Sequence, residues 1–289
     1  MKTFREFLDE RQLTIGKKIY PKYNNVLILA GGSGVGKGFS IENVIGFQGK
    51  KFDVDELKGQ YKRLVSDNEK LEQEYQNFTD GKYSLKNYNA KDPEQVSKLH
   101  MFLKQRKVIN KQMSLFVQAN KDSDNKPNII FDVTLKELKK LEDIITFCKD
   151  VGYDPKNIHI VWILNSEENA IRNNQSRGRT VNIDVLKSSH EGAAKTMREI
   201  INNNKKYTSD IDGDIWIVPN QQYIDTSVQI YLSKTGEVFK NKIPKTLINL
   251  ERYTAFQLKE QGKQAKSFNE LEKDIQDKIK SYIPKTVQF

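Results

Sequence analysis

Three features of the chain predict an α/β fold in which a parallel sheet is covered by helices on both faces. Short apolar runs, Val26–Ala30, Ile129–Phe131 and Ile158–Leu164, read as fully buried strands rather than alternating ones. Segments with apolar residues at helical spacing separate them, as crossover helices between parallel strands must. The first strand runs straight into Gly31-Gly32-Ser33-Gly34-Val35-Gly36-Lys37-Gly38, a glycine-rich turn opening a helix.

At 289 residues the chain can bury one large core or two modest ones. It holds no run of eighteen apolar residues, so a transmembrane helix is not expected. Its first residues, Met1 to Leu8, lack an apolar signal region and read as a short amphipathic helix. Cys148 is the only cysteine, which rules out disulfides and thiolate zinc sites. It falls in an apolar helical pattern and reads as a core residue. A cytoplasmic setting without membrane contact is expected. The formal charge of +10 favours a polyanionic partner such as nucleic acid or a nucleotide. The lysines are scattered and often accompanied by acids, however, as over Lys58 to Lys70 and Lys136 to Lys140, which a solvated surface also produces.

Element by element, Val26–Ala30 is the strand that aims the glycine turn, and Phe39 to Val44 continues as a helix. Lys51-Phe52-Asp53 is a short strand, after which Leu57, Tyr61, Leu64 and Val65 keep helical spacing. Residues 73–91, rich in Asn, Tyr and Lys, read as an exposed insertion. Asp92-Pro93-Glu94-Gln95 starts a helix, with Asp92 as N-cap and Pro93 in the first turn, predicted to run to Ala119. Asn128 to Asp132 is a strand ending in an acid. Leu135, Leu138, Leu141, Ile145 and Cys148 then line one helical face. Ile158–Leu164 is a strand, a helix begins near Ser166, and another covers Ile183 to Asn203. Ile215 to Val218 is a strand closed by Pro219. Residues 228–240 read as a β-hairpin, and Ser267-Phe268-Asn269-Glu270 as a capping box opening a last helix on Leu271, Ile275 and Ile279. The predicted organisation is an N-terminal helix and linker over 1–23, a core over 24–225 with a helical insertion at about 60–120, and a hairpin-and-helix appendage over 226–289.

The glycine turn carries the chemistry. Its backbone N–H groups can converge on an anion, and Lys37 reaches the β- and γ-phosphates of a nucleoside triphosphate. Gly32, Ser33, Gly34, Val35, Gly36, Lys37, Gly38 and Phe39 would line that ligand, ATP or GTP. The place where the usual pattern has a Ser or Thr ligand to Mg²⁺ is Gly38. Acids at the carboxyl ends of strands are the other candidates: Asp53 and Asp55 after the second strand, Asp132 at the end of the third. Asp55 suits the base that orients an attacking hydroxyl. The alternative for each acid is a helix N-cap or a surface carboxylate, and position after a sheet strand favours function for Asp55 and Asp132 more than for Asp53. Arg172, Arg177 and Arg179 fit a lid that folds cations over the phosphates.

Four blocks resemble the P-loop kinases that include phage polynucleotide 5′-kinase and the zeta-toxin kinases. They are Gly31 to Gly38, Asp55-Glu56-Leu57-Lys58, Ile129 to Leu135, and Arg172 through Arg177-Gly178-Arg179-Thr180-Val181-Asn182-Ile183-Asp184-Val185-Leu186. His190-Glu191-Gly192 is similar to the zeta-type branch. The resemblance spans about residues 24–205 and implies a phage-encoded kinase core, acting in the host cytoplasm or carried in the virion. It implies Asp55 as general base and Lys58 on the acceptor's phosphate, where the family has an arginine. Asp132 would be a structural or substrate-orienting carboxylate near the turn, Arg177 would stabilise the transferring phosphoryl group, and Arg179 could assist.

Two departures bear on catalysis. With glycine at position 38, Mg²⁺ must be held by Asp53, Asp132, water or Ser40, or held poorly. Lys58 offers a point charge in place of a fork. The expected activity is ATP-dependent phosphorylation of a hydroxyl, on a nucleic-acid 5′ end, a nucleotide or, as rival, a nucleotide sugar. A non-catalytic nucleotide-binding phage accessory protein, meeting a protein partner through its C-terminal appendage, is the reading from another class. Asp53-Val54-Asp55 and Asp210-Ile211-Asp212-Gly213 echo the Asp-x-Asp of haloacid-dehalogenase-type phosphatases, but the second follows no buried strand. His190-Glu191 lacks the second histidine of a metalloprotease helix, since position 194 is Ala.

Overall fold

A computed structural model describes residues 13–15, 18–43, 45–47, 49–53, 68–176, 180–207, 209–220 and 255–288. The N-terminal helix, the helix expected at 57–65 and the hairpin expected at 228–240 lie outside them.

A six-stranded sheet organises the fold, in the order β5-β6-β3-β7-β8-β9. Its strands are β3 (Val26–Ala30), β5 (Lys50–Phe52), β6 (Ile129–Asp132), β7 (Ile158–Leu164), β8 (Ile215–Pro219) and β9 (Phe256–Lys259). The first five in that order are parallel, and β9 closes the edge antiparallel to β8. Every residue of β3 is buried, and the pleat sends successive side chains to opposite faces. Val26 and Ile28 join one core with Phe131, Ile160, Trp162 and Met197, while Leu27 and Leu29 join the other with Val161 and Ile163. Burial on both faces is why these strands carry no polar alternation.

The first face is covered by α4 (Val108–Asn120), α5 (Leu138–Val151) and α7 (Ile183–Asn202). Phe52, Phe131 and Phe147 interlock there, with Phe52 stacked on Phe131 at 5.2 Å. After the one-turn α8 (Asn204–Tyr207), α9 (Lys273–Tyr282) is built into the same core through Ile279 and its C-cap Ile283. The second face is covered by α1 (Lys37–Asn43) and a small antiparallel sheet of β1 (Thr14–Ile15), β2 (Lys18–Ile19) and β4 (Ile45–Gly46).

Three local expectations change. Residues 73–91 are not simply exposed. α2 (Glu69–Phe78) and α3 (Pro93–Gln105) enclose a core of their own around Tyr75, Leu85, Leu99, Phe102 and Leu103. The helix opened by Asp92 is capped as predicted, its Oδ1 accepting from Glu94 N–H at 2.9 Å, but it does not run to Ala119. Lys107 takes φ +53°, a left-handed conformation that ends α3 and starts α4 in a new direction. The Ser267–Glu270 box caps a 3₁₀ turn, Phe268–Glu270, and not α9. Leu271 is buried in extended backbone, and that anchor interrupts the helix until Lys273.

Candidate functional site

β3 delivers the glycine turn to the carboxyl edge of the sheet, between β6 and β7. Gly31 and Gly34 have φ of +145° and +83°. A Cβ at Gly34 would lie 2.4 Å from the Ala170 carbonyl oxygen, so only glycine lets the turn approach α6 (Glu167–Ser176) so closely. Lys37 opens α1, and its Nζ donates to Gly31 O at 3.0 Å and Gly32 O at 3.3 Å, folding the ammonium across the turn. Gly38 is exposed, and a Cβ there would meet nothing within 4 Å. Ser40 is fully buried, and Phe39 is half-buried between them.

Side chains from three segments hold the turn from behind. The Ser33 N–H donates to Ser189 Oγ at 2.8 Å, and that hydroxyl donates to Leu186 O at 2.6 Å. His190 Nε2 lies 2.9 Å from Ser33 O, so it carries the proton. The His190 ring covers Gly32 so tightly that a Cβ there would sit 2.2 Å from Cδ2. Asn173 Nδ2 donates to Gly34 O at 2.8 Å, and Asn220 Nδ2 donates to Val35 O at 2.7 Å. Burial pushes the His190 pKa below the usual histidine value, and the Lys37 charge adds to this; the Ser33 carbonyl and Glu167 oppose it. Ser189, Asn173 and Asn220 were not among the residues singled out from sequence. A signal existed for α7: Ser189 and His190 interrupt the apolar stripe Leu186, Ala193, Ala194, Met197.

The acids gather where the sheet register puts them. Asp132 pairs with Leu29 and Phe52 with Phe131, so Asp53 and Asp132 end adjacent strands at the edge that carries the turn. Lys51, which sequence reasoning passed over, bridges them: its Nζ is 2.9 Å from Asp53 Oδ2 and 3.2 Å from Asp132 Oδ2. Burial works against the Lys51 charge, but the two carboxylates outweigh it and raise the pKa. Gly31 N–H donates to Thr134 O at 3.2 Å, tying the segment after Asp132 to the turn. Among the described residues, no group of three or more His, Cys, Asp or Glu side chains could hold a metal ion.

Asp55, Lys58, Arg177 and Arg179 lie outside the described residues. Arg172 is on an exposed side of α6, paired with Glu168 one turn earlier. The buried Asn174 holds both backbone polar groups of Val181, just before α7: its Nδ2 donates to Val181 O at 2.7 Å and its Oδ1 accepts Val181 N–H at 2.8 Å. Thr180 N–H donates to Ala90 O at 3.1 Å, joining this segment to the insertion.

No family model and no curated protein matches the chain. Solved structures similar to it include the AvrRxo1-ORF1:AvrRxo1-ORF2 complex with sulphate ions, with a TM-score of 0.40 and 12% identity over 74% of this chain. The native form of that complex gives 0.39 and 13% over 74%. A structure from the PezAT chromosomal toxin–antitoxin system of the human pathogen Streptococcus pneumoniae gives 0.38 and 16% over 69% of this chain and 68% of that one. The chain spans 56% of the length of the AvrRxo1 chain it matches. Likenesses at this level carry no argument about activity, so the chemistry rests on the site itself.

That site is a strand, glycine turn and helix with a lysine over the turn and two lysine-bridged carboxylates on the neighbouring strand ends. It can receive a polyphosphate, since the turn brings N–H groups and an ammonium to one edge. For Mg²⁺ the fit is poorer. Position 38 supplies no side-chain oxygen, Ser40 is buried, and Asp53 and Asp132 already share the Lys51 ammonium.

No helix of the described residues is long and apolar enough to cross a membrane.

Proposed function

We propose that this chain is a phosphotransferase that takes the γ-phosphoryl group of ATP or GTP and places it on a hydroxyl. The observation that carries this is the glycine turn Gly31–Gly38 leading from β3 into α1, with Lys37 folded over it and Asp53 and Asp132 at strand ends on the same sheet edge. Phosphoryl transfer asks a protein mainly for positioning and for cations on the developing charge. The turn and Lys37 hold the β- and γ-phosphates. Asp55, two residues past Asp53, takes the acceptor's proton as its oxygen attacks phosphorus and the bond to the β-phosphate oxygen breaks. Arg177 and Arg179 meet the charge on the equatorial oxygens; Lys58, Arg172 and Asp132 orient the acceptor. Mg²⁺, if held, would supply further positive charge to the phosphates, and Asp53 and Asp132 are the described carboxylates that would hold it.

The acceptor we favour is a nucleic-acid 5′-hydroxyl or a nucleotide, on the strength of the +10 charge and the lid block. A nucleotide sugar is the alternative. Transfer from γ-labelled ATP to 5′-hydroxyl oligonucleotides, tested beside UDP-sugars, separates them. Label reaching neither acceptor, or reaching both equally in wild type and Asp55→Asn, sinks the enzymatic reading.

A second reading is favoured by Gly38 and by the Lys51 bridge. In it the chain binds nucleotide without transferring phosphate, its metal ligands being replaced or engaged. Nucleotide binding by calorimetry without any transfer dependent on Asp55 would select it.

A further inference from the structure

Between Glu94 and Asp122 the chain carries Lys98, Lys104, Arg106, Lys107, Lys111 and Lys121 and not one acid. This stretch is the helix pair α3–α4. Its apolar side chains are consumed inward, Leu99, Phe102 and Leu103 in the insertion core and Met113, Phe116 and Val117 against the sheet. What faces outward is cationic and amide-bearing: Lys104, Lys107 and Lys111 are exposed, with Gln105, Asn110 and Gln118 among them. Met101 and Leu115 add two isolated apolar contacts, 54% and 66% exposed. Arg106 is engaged by Glu74 and stays out of this face.

The face reaches the functional edge. Lys140 lies in the first turn of α5, just beyond Asp132. Burial lowers its pKa, Asp143 opposes this, and the neighbouring Lys104 charge lowers it further. Lys139 is exposed on the same turn, and Lys136, just before the helix, is exposed and lies 3.8 Å from Glu137. Like charges set side by side are unfavourable until an anion lies across them.

We propose that the outward face of α3–α4, continued by Lys104 to the start of α5, binds the phosphate backbone of a nucleic-acid strand and leads it to the carboxyl edge of the sheet. Lysines supply the phosphate contacts, exposed amides reach sugars or base edges, and Met101 and Leu115 meet base faces. A membrane surface fits worse, since an interfacial helix needs a continuous apolar face and these helices spend theirs on the protein core. The inference deepens the acceptor reading given above, and its test separates the two.

The test uses the full chain without ATP, following fluorescence anisotropy of a labelled 5′-hydroxyl single-stranded oligonucleotide from 50 to 300 mM NaCl. Binding that weakens linearly in log–log form is expected. Lys104→Glu with Lys111→Glu removes two phosphate contacts, so affinity should fall at least tenfold and the slope should shrink by about 1.4. The same charge change at Lys266 and Lys273, exposed near α9, should leave both unchanged. Absence of binding at 50 mM NaCl overturns the proposal. So does a slope that Lys104 and Lys111 do not alter, or equal affinity for polyglutamate or phosphatidylserine vesicles. A chain that binds the strand yet phosphorylates nothing rejects the kinase reading alone. A chain that phosphorylates a nucleotide but ignores the strand rejects this surface alone.

Discussion

His190 Nε2 lies 2.9 Å from the carbonyl oxygen of Ser33, across 157 positions of sequence, and the ring covers the Cα of Gly32. With Ser189 taking the Ser33 N–H, one turn of α7 satisfies both backbone polar groups of a single turn residue. Ser33 is half-buried, so leaving either group unpaired costs at most about 1–3 kcal/mol. The two contacts therefore fix the conformation that nucleotide meets, which makes Ser189 and His190 positioning residues.

Replacing His190 by Ala should raise KM for ATP about tenfold and leave kcat within about threefold, because the turn loses its support while the reacting groups stay. Gln, whose side-chain amide can still donate to Ser33 O, should recover most of the loss. A purely structural role would instead lower thermal stability equally in both variants and leave KM alone.

Two buried histidines, His159 and His190, should contribute to the loss of stability in acid. His159 is fully buried beside Tyr20, accepts Asp214 N–H through Nδ1 at 2.9 Å, and is pushed by burial down to a pKa of about 4. The nearby Asp214 carboxylate opposes this shift, and the Lys18 and Lys259 ammoniums reinforce it. A folded-state pKa below the unfolded value of about 6.5 means the unfolded chain binds more protons. The contribution of His159 is thus complete above about pH 6.5 and is lost as pH falls towards 4; His190 acts in the same direction. Scanning calorimetry should show Tm falling through that window, and His159→Asn, which keeps an acceptor for Asp214 N–H, should flatten the fall. An unchanged slope in that variant would place the acid sensitivity elsewhere.

What could be read from sequence was local. Val26–Ala30 and its glycine turn follow from consecutive residues, as does the cap formed by Asp92, Pro93 and Gln95. Lys107 could not be read, because apolar residues keep helical spacing on both sides of its left-handed backbone. The strands β1 and β2 are two residues each, too short for periodicity. β9 was missed because its burial depends on its place beside β8. The Lys51 bridge needs the pairing of Phe52 with Phe131, and the Ser33 clamp needs α7 folded back onto β3. Both depend on long-range register that neighbouring letters do not encode. Asp210 and Asp212 also resolve into structure: Asp210 pairs with Lys149 at 2.7 Å, and Asp212 accepts from the buried Lys259 at 3.0 Å. These are contacts that hold β9 and α5, not a phosphatase pair.

Lys51→Met tests whether the bridging ammonium stands in for a metal ion. Two carboxylates at adjacent strand ends would then lose the ammonium they share. Because Lys51 is about one-third exposed, the loss of stability should be modest, about 1 kcal/mol. Millimolar Mg²⁺ should restore it, since the vacated space is flanked by hard oxygen ligands. Wild type should show little response to Mg²⁺ in the same thermal-shift titration without nucleotide. If the variant responds no more than wild type, the carboxylates do not form a latent cation site.

Gly38→Ser addresses the loop directly. A Cβ at this position meets nothing within 4 Å, and the residue is exposed, so the substitution carries no steric cost. Replacing glycine inside α1 should even stabilise the fold, by up to about 0.5 kcal/mol, through helix propensity. The added hydroxyl stands where a P-loop ligates Mg²⁺, next to Lys37. Turnover in saturating Mg²⁺ should therefore hold or rise, and the Mg²⁺ concentration giving half-maximal rate should fall severalfold. A large loss of turnover with Tm unchanged would mean that the triphosphate lies across the turn in another register, with the α1 start against something other than the metal-bearing phosphates.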